Sequence, residues 1–262
     1  MDVIIGAILN TLKEIDEYDN TLIIFMSDNG AWINPSNGLN DASTVSPFDG
    51  GSNGVFRGGK GSTWEGGIRV PLLVKPPLST TTTTKHILTP TTATDLLPTI
   101  MDYAGAPLNS NYTVDGVSLR PLLETGGSLE PRCIYHWREN DLYAIRCGAL
   151  KAHFITRSGF NISDVGELHD PPIVYKIEED PGENFPVVAG EFGVTADDVA
   201  FLIKMGNEHR REMEKNKSES LYLKQRVDVM PCCTRGGLGE IELDNDDDVP
   251  RIWKHCVCER II

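Results

Sequence analysis

Thr21-Leu22-Ile23-Ile24-Phe25-Met26-Ser27-Asp28-Asn29-Gly30 is the stretch on which the reading of this 262-residue chain turns. Leu22 to Met26 is an unbroken apolar run without alternation. That is the pattern of a strand covered on both faces, as in a parallel sheet flanked by helices. The run ends on Ser27-Asp28-Asn29-Gly30, and ligands of open α/β sheets gather at the carboxyl ends of strands. Asp28 and Asn29 offer hard oxygens there, the donor type that Ca²⁺ and Mg²⁺ select. Asp-Asn-Gly also favours a plain turn for backbone reasons, so taken alone the pair leaves both readings open.

A glycine-rich segment leads on to Phe56-Arg57-Gly58-Gly59-Lys60-Gly61-Ser62-Thr63-Trp64-Glu65-Gly66-Gly67-Ile68-Arg69. Most lysines are surface groups, but among glycines the Lys60 ammonium can approach an oxyanion without steric hindrance. Gly54-x-x-x-x-Gly59-Lys60 imitates a nucleotide P-loop. Gly61, however, stands where Ser or Thr should hold Mg²⁺, no strand directly precedes Gly54, and Gly66-Gly67 spoils the helix that should follow.

These two segments, with Thr94-Asp95-Leu96-Leu97-Pro98-Thr99, Lys151-Ala152-His153-Phe154 and Asp180-Pro181-Gly182-Glu183-Asn184, closely resemble the sulfatase family. The resemblance is strongest to the branch holding arylsulfatase A and N-acetylgalactosamine-6-sulfatase, and it covers most of residues 1 to about 215 in family order. It implies an α/β, alkaline-phosphatase-like fold: part of a large mixed-sheet domain (1–128), then a small four-stranded antiparallel sheet with a packed helix and a cysteine-bearing tail (129–262). It implies a sulfuric ester hydrolase acting on sulfated glycans, glycolipids or aryl sulfates. Asp28 and Asn29 match Ca²⁺ ligands, and Lys60 matches a catalytic lysine that contacts the sulfate. The resemblance of residues 151–154 to a strand near the substrate cleft makes His153 a candidate substrate contact, against the ordinary reading of a packed histidine.

Family members carry a formylglycine nucleophile made from the cysteine of Cys/Ser-x-Pro-x-Arg, a motif that occurs nowhere in this sequence. The expectation is therefore a carboxyl-terminal half of a longer sulfatase, inactive by itself, with an incomplete Ca²⁺ site. Two alternatives stay open: an inactive fragment or pseudo-enzyme that only binds an anionic glycan, and a relative acting on phosphate esters. The first residues lack the basic region of a signal peptide, as an internal start would require, and the full-length form is expected to be lysosomal or secreted.

A net charge of −14 argues against nucleic-acid binding, which needs clustered positive charge. It leaves room for a local positive pocket from Arg57, Lys60 and Arg69. No apolar run reaches membrane-spanning length, and nothing sets an oligomeric state. Asn111, Asn161 and Asn216 open N-glycosylation tripeptides. Of the six cysteines, Cys133 and Cys147 flank a hairpin centred near Asn140 and should face each other. Cys232, Cys233, Cys256 and Cys258 lack zinc-knuckle spacing, so disulfides are the better reading, with three pairings possible. Asp244 to Asp248 reads as a solvated acidic loop.

Ile4, Ile5, Ile8, Leu9, Leu12 and Ile15 recur at helical spacing and predict an amphipathic helix packed on the sheet. Ile68 to Val74 reads as a second buried strand, and Leu96 to Ala104 as a helix N-capped by Asp95. Residues 106–131 read as a turn-rich junction. Four short strands then follow, near 134–137, 142–146, 149–155 and 173–177, and Thr195, with Asp198 three residues on, caps a last helix faced by Val199, Leu202, Ile203 and Met213. The other histidines have no metal-like spacing and read as structural.

Overall fold

The computed structural model describes residues 1–33, 50–77, 86–108, 113–138, 140–157 and 166–215. The glycosylation candidates Asn111, Asn161 and Asn216 and the tail cysteines Cys232, Cys233, Cys256 and Cys258 lie outside them. Residues 1–210 form one compact unit.

Its first part holds helix α1 (Asp2–Glu14), strand β1 (Ile23–Met26), a one-turn helix α2 (Glu65–Ile68), strand β2 (Leu72–Lys75), helix α3 (Leu96–Tyr103) and helix α4 (Arg120–Thr125). Three expectations are corrected here. β1 pairs β2 antiparallel rather than in a parallel array, and Phe25 and its cross-strand partner Leu73 are 40% and 60% exposed. α2 takes up Ile68, and β2 begins only at Leu72, after Pro71, so the run from Ile68 to Val74 is not all strand. α1 forms, but none of its residues is buried. The turn-rich span 106–131 also contains α4, which opens with Pro at its first turn and closes on Gly126 at φ 68°, the usual helix start and stop.

Asp95 does not cap α3 with its side chain. It accepts instead from the backbone N–H of Thr92 (2.8 Å) and Val117 (2.9 Å) and from Arg132 Nη1 (2.7 Å). A fully buried carboxylate is thereby satisfied on both oxygens, as buried charge requires.

The second part is an antiparallel sheet in the order β3 (Cys133–Arg138), β4 (Asp141–Cys147), β5 (Leu150–Thr156), β6 (Glu167–Lys176), followed by helix α5 (Ala196–Lys215). The register gives each face one character. Tyr135, Ile145, Ala152 and Val174 lie in one cross-strand row and share a core with Leu142, Phe154 and Leu202 of α5. Gly206 lets α5 close on this core, since a Cβ there would sit 2.7 Å from Phe154 Cζ. Thr195 and Asp198 cap α5 reciprocally, as the sequence predicts; Met213, by contrast, is exposed. The opposite face carries the rows Arg146-Lys151-Tyr175 and His136-Ala144-His153. It carries the buried Lys151 and His153 beside Tyr175, and it turns toward the glycine-rich loop.

Cys133 and Cys147 are cross-strand partners and form the expected disulfide. Replacing both by serine should lower the unfolding free energy by about 3 kcal/mol on the chain-entropy model. Denaturant titration measures this, and an unchanged midpoint would contradict a closed loop.

Candidate active site

Two backbone segments meet where the sequence quotes Asp28-Asn29-Gly30 and the Lys60 loop. Gly30 N–H donates to Gly67 O at 2.9 Å, Lys60 N–H to Ala31 O at 3.0 Å, and Gly66 N–H to Arg57 O at 2.7 Å. Asn53 ties the same segments by side chain, accepting from Ala31 N–H (2.8 Å) and donating to Gly58 O (2.9 Å). Only glycine fits at Gly30, Gly66 and Gly67, where a Cβ on Gly67 would lie 2.3 Å from Ser62 O. A Cβ on Gly30 would lie 1.8 Å from Gly66 O, and one on Gly66 would lie 2.3 to 2.8 Å from the carbonyls of residues 56–58. The glycines are a packing requirement here.

The Lys60–Ala31 hydrogen bond thus brings the Lys60 backbone beside the strand end, with Asn29 two residues and Asp28 three residues before Ala31. Asp28 is exposed, and Asn29 and Lys60 are half-buried. For Ca²⁺ the donor chemistry fits but the number does not. Asp28 and Asn29 supply hard oxygens, whereas Ca²⁺ takes six to eight, and among the described residues no group of three or more His, Cys, Asp or Glu could hold an ion.

Beneath the loop lies a layer of buried charge of which sequence reasoning named His153, Arg57 and Arg69 but missed Lys151 and the carboxylates Glu65 and Glu183. Lys151, fully buried, places its Nζ 2.9 Å from Glu65 Oε1 and 3.0 Å from Glu183 Oε1. Glu183 Oε1 also meets His153 Nε2 at 2.7 Å, and its Oε2 accepts the Glu65 backbone N–H at 2.6 Å. Arg146 and Arg69 face Glu65 Oε2 at 3.7 and 3.5 Å. Trp64 roofs the layer, its ring centroid 4.3 Å from that of His153 and 3.8 Å from Arg57 Cζ. Arg57 in turn donates to Glu183 O at 3.0 Å, and Arg138 of β3 donates to Gly61 O at 2.5 Å. His153 therefore sits fully enclosed in this layer. The signal available in sequence was the alternation Lys151-Ala152-His153-Phe154, polar and apolar residues on opposite faces of one strand.

Burial sets the protonation states. It drives His153 down, only partly opposed by its hydrogen bond to Glu183, and it drives His136 down to about 3 with help from Lys151 and Arg146. A neutral His153 donating from Nε2 leaves Nδ1 as a bare acceptor, and Nδ1 has no partner. Burial alone would raise Glu183, but the His153 hydrogen bond and the Lys151 charge hold it below the usual carboxylate range.

With this geometry in view, the comparisons with known proteins decide the family. Residues 1–106 match the model described as Sulfatase, and residues 129–238 match the C-terminal region of aryl-sulfatase. The chain belongs to the sulfatase family. It is 31% identical to human (Homo sapiens) arylsulfatase A over 210 residues, 74% of this chain and 39% of that protein. It is 34% identical to human steryl-sulfatase over 208 residues, 71% of this chain and 34% of that protein. Among solved structures it resembles the PsFucS1 sulfatase from Pseudoalteromonas sp., with TM-score 0.69 and 27% identity, covering 84% of this chain and 42% of that one. The fold is that of the α/β sulfatases, alkaline-phosphatase-like. The sulfatase chain spans about two fifths or less of the length of these curated relatives.

Both histidines titrate at 6.5 unperturbed and lower when folded, so the unfolded chain binds more protons below about pH 6.5 and stability falls as pH drops through that window. The carboxylates Glu183 and Asp95, with lowered values, add their loss only at more acid pH. Thermal melts from pH 7.5 to 5 should show the fall, and His136→Leu should flatten it. Equal slopes for the two proteins would contradict the buried neutral state of His136.

Proposed function

We propose that this sulfatase chain is the carboxyl-terminal portion of a sulfuric ester hydrolase acting on sulfated glycans, glycolipids or aryl sulfates. In this reading Asp28 and Asn29 contribute to a Ca²⁺ site, Lys60 contacts the sulfate, and His153, beneath the Lys60 loop, is a second substrate contact. The observation that carries it is the backbone knot joining Lys60 to Ala31, just beyond Asn29. A carboxylate and an amide acting through Ca²⁺, with an ammonium on the same anion, would suit a tetrahedral dianion whose oxygens gain charge during transfer. Ca²⁺ held there would neutralise part of that charge; Lys60 would supply a fixed positive group on the same anion.

The chain by itself is proposed to be inactive. Cys/Ser-x-Pro-x-Arg is absent from its sequence, so the formylglycine expected of the family would have to be supplied by residues beyond those given. Exposed apolar surface supports the same reading. β1–β2 is a two-stranded ribbon with Phe25 and Leu73 exposed on one face, and such ribbons are marginal alone. Val3, Ile4 and Ile8 of α1 are exposed as well. We assign residues 1–128 to the catalytic domain and 129–262 to the small-sheet domain, with N-glycans at Asn111, Asn161 and Asn216. A lysosomal or secreted setting is supported by the Cys133–Cys147 disulfide, since such bonds persist in oxidising compartments. No helix among the described residues is long and apolar enough to cross a membrane.

Purified chain with p-nitrophenyl sulfate and Ca²⁺ should show no turnover. Co-expression with an amino-terminal sulfatase segment bearing Cys-x-Pro-x-Arg should restore it, and Lys60→Ala should then cost about 10²- to 10³-fold. Turnover by the chain alone would refute the proposal. Glycan binding without any restorable hydrolysis would favour the binding-only reading.

A further inference from the structure

We propose that Glu183 is the positioning residue of the Lys60 loop, holding it from the turn after β6. This rests on the reading of Lys60 as the sulfate contact and adds to it the group that fixes where Lys60 stands. Residues 57 and 65 bracket the loop, and Glu183 binds both. Its carbonyl accepts from Arg57 Nη1 at 3.0 Å, and its Oε2 accepts the Glu65 N–H at 2.6 Å. The other carboxylate oxygen is held by Lys151 Nζ and His153 Nε2 at 3.0 and 2.7 Å, both from β5. The carboxylate thus couples the loop's end to a rigid strand through directional, charge-assisted bonds.

The turn that presents Glu183 is itself braced. Asp180 Oδ2 accepts the backbone N–H groups of Asn184 and Phe185 at 2.7 and 2.8 Å. Glu183 stands at φ 51°, a conformation that non-glycine residues keep only when surroundings over-determine it. Gly182 lies against the loop's start, where a Cβ would come within 2.9 Å of Val55 O. A simple counter-ion for Lys151 needs none of this, because Glu65 already stands 2.9 Å from the same ammonium. The contact that a counter-ion role leaves unexplained is the one to the Glu65 amide, which opens α2.

Amide hydrogen exchange, resolved by residue, tests the assignment on the whole chain. In Glu183→Ala the amides of Lys60, Glu65 and Gly66 should exchange at least ten-fold faster, while Leu202 and Ile203 of α5 stay within two-fold of wild type. Glu183→Gln, which keeps an acceptor oxygen and the side-chain shape, should recover most of the protection at Glu65. It also guards against a failure of the alanine variant to fold. Loop amides unchanged in both variants, or loop and α5 amides accelerated equally, would overturn the proposal. Inorganic sulfate titrated into the same samples separates the two claims. Weaker sulfate response at Lys60 in Glu183→Ala supports positioning for sulfate binding. A wild-type chain whose Lys60 resonance ignores sulfate refutes the sulfate reading, and the exchange data then decide the Glu183 contact by themselves.

Discussion

A missing side chain sets the site. Gly30 follows the strand-end carboxylate and amide directly, and its backbone lies so close to α2 that any Cβ would sit 1.8 Å from the Gly66 carbonyl oxygen. This approach allows the Gly30–Gly67 and Lys60–Ala31 hydrogen bonds, and through them residues 37 and 29 positions apart in the sequence become neighbours. The glycines cost conformational entropy, and the loop recovers order from the layer below it, where Trp64 and Glu65 engage the small sheet and Arg57 the turn after it.

That layer is organised by the pleat of β5. Ala152 and Phe154 enter the core against α5, while Lys151 and His153 point to the loop side. A buried ion network is weak evidence for net stability, because desolvation offsets the attraction, yet removing one partner strands the others at about 3–5 kcal/mol. Its value is directional. Glu183 and Glu65 accept at fixed geometry from the β5 lysine, so the sheet and the loop hold one another in register.

Much of this was legible locally. The strand ending at Met26, the reciprocal Thr195–Asp198 cap and the Cys133–Cys147 pair all follow from short-range pattern. The parallel, doubly covered environment expected for Leu22 to Met26 did not follow, because an apolar run states only that a strand suits burial and not what covers it. Asp95 read as a cap for the same reason: its position at a helix start is local, but its partner Arg132 lies 37 residues away. Glu65 and Glu183, separated by 118 residues, gave no periodic signal. Long-range ionic partners leave no trace in a local pattern, and only the alternation of residues 151–154 hinted that one sheet face is polar.

The proposed account rests on Asp28 and Asn29, acting through Ca²⁺, and Lys60 meeting one anion. Titration of inorganic sulfate into isotope-labelled chain in the presence of Ca²⁺, followed by nuclear magnetic resonance, tests this directly. The Asn29 side-chain amide and the Lys60 resonances should move along a single binding curve, and Asp28→Ala should shift both together. Lys60 responding while Asn29 stays still, or two different midpoints, would contradict convergence at one site.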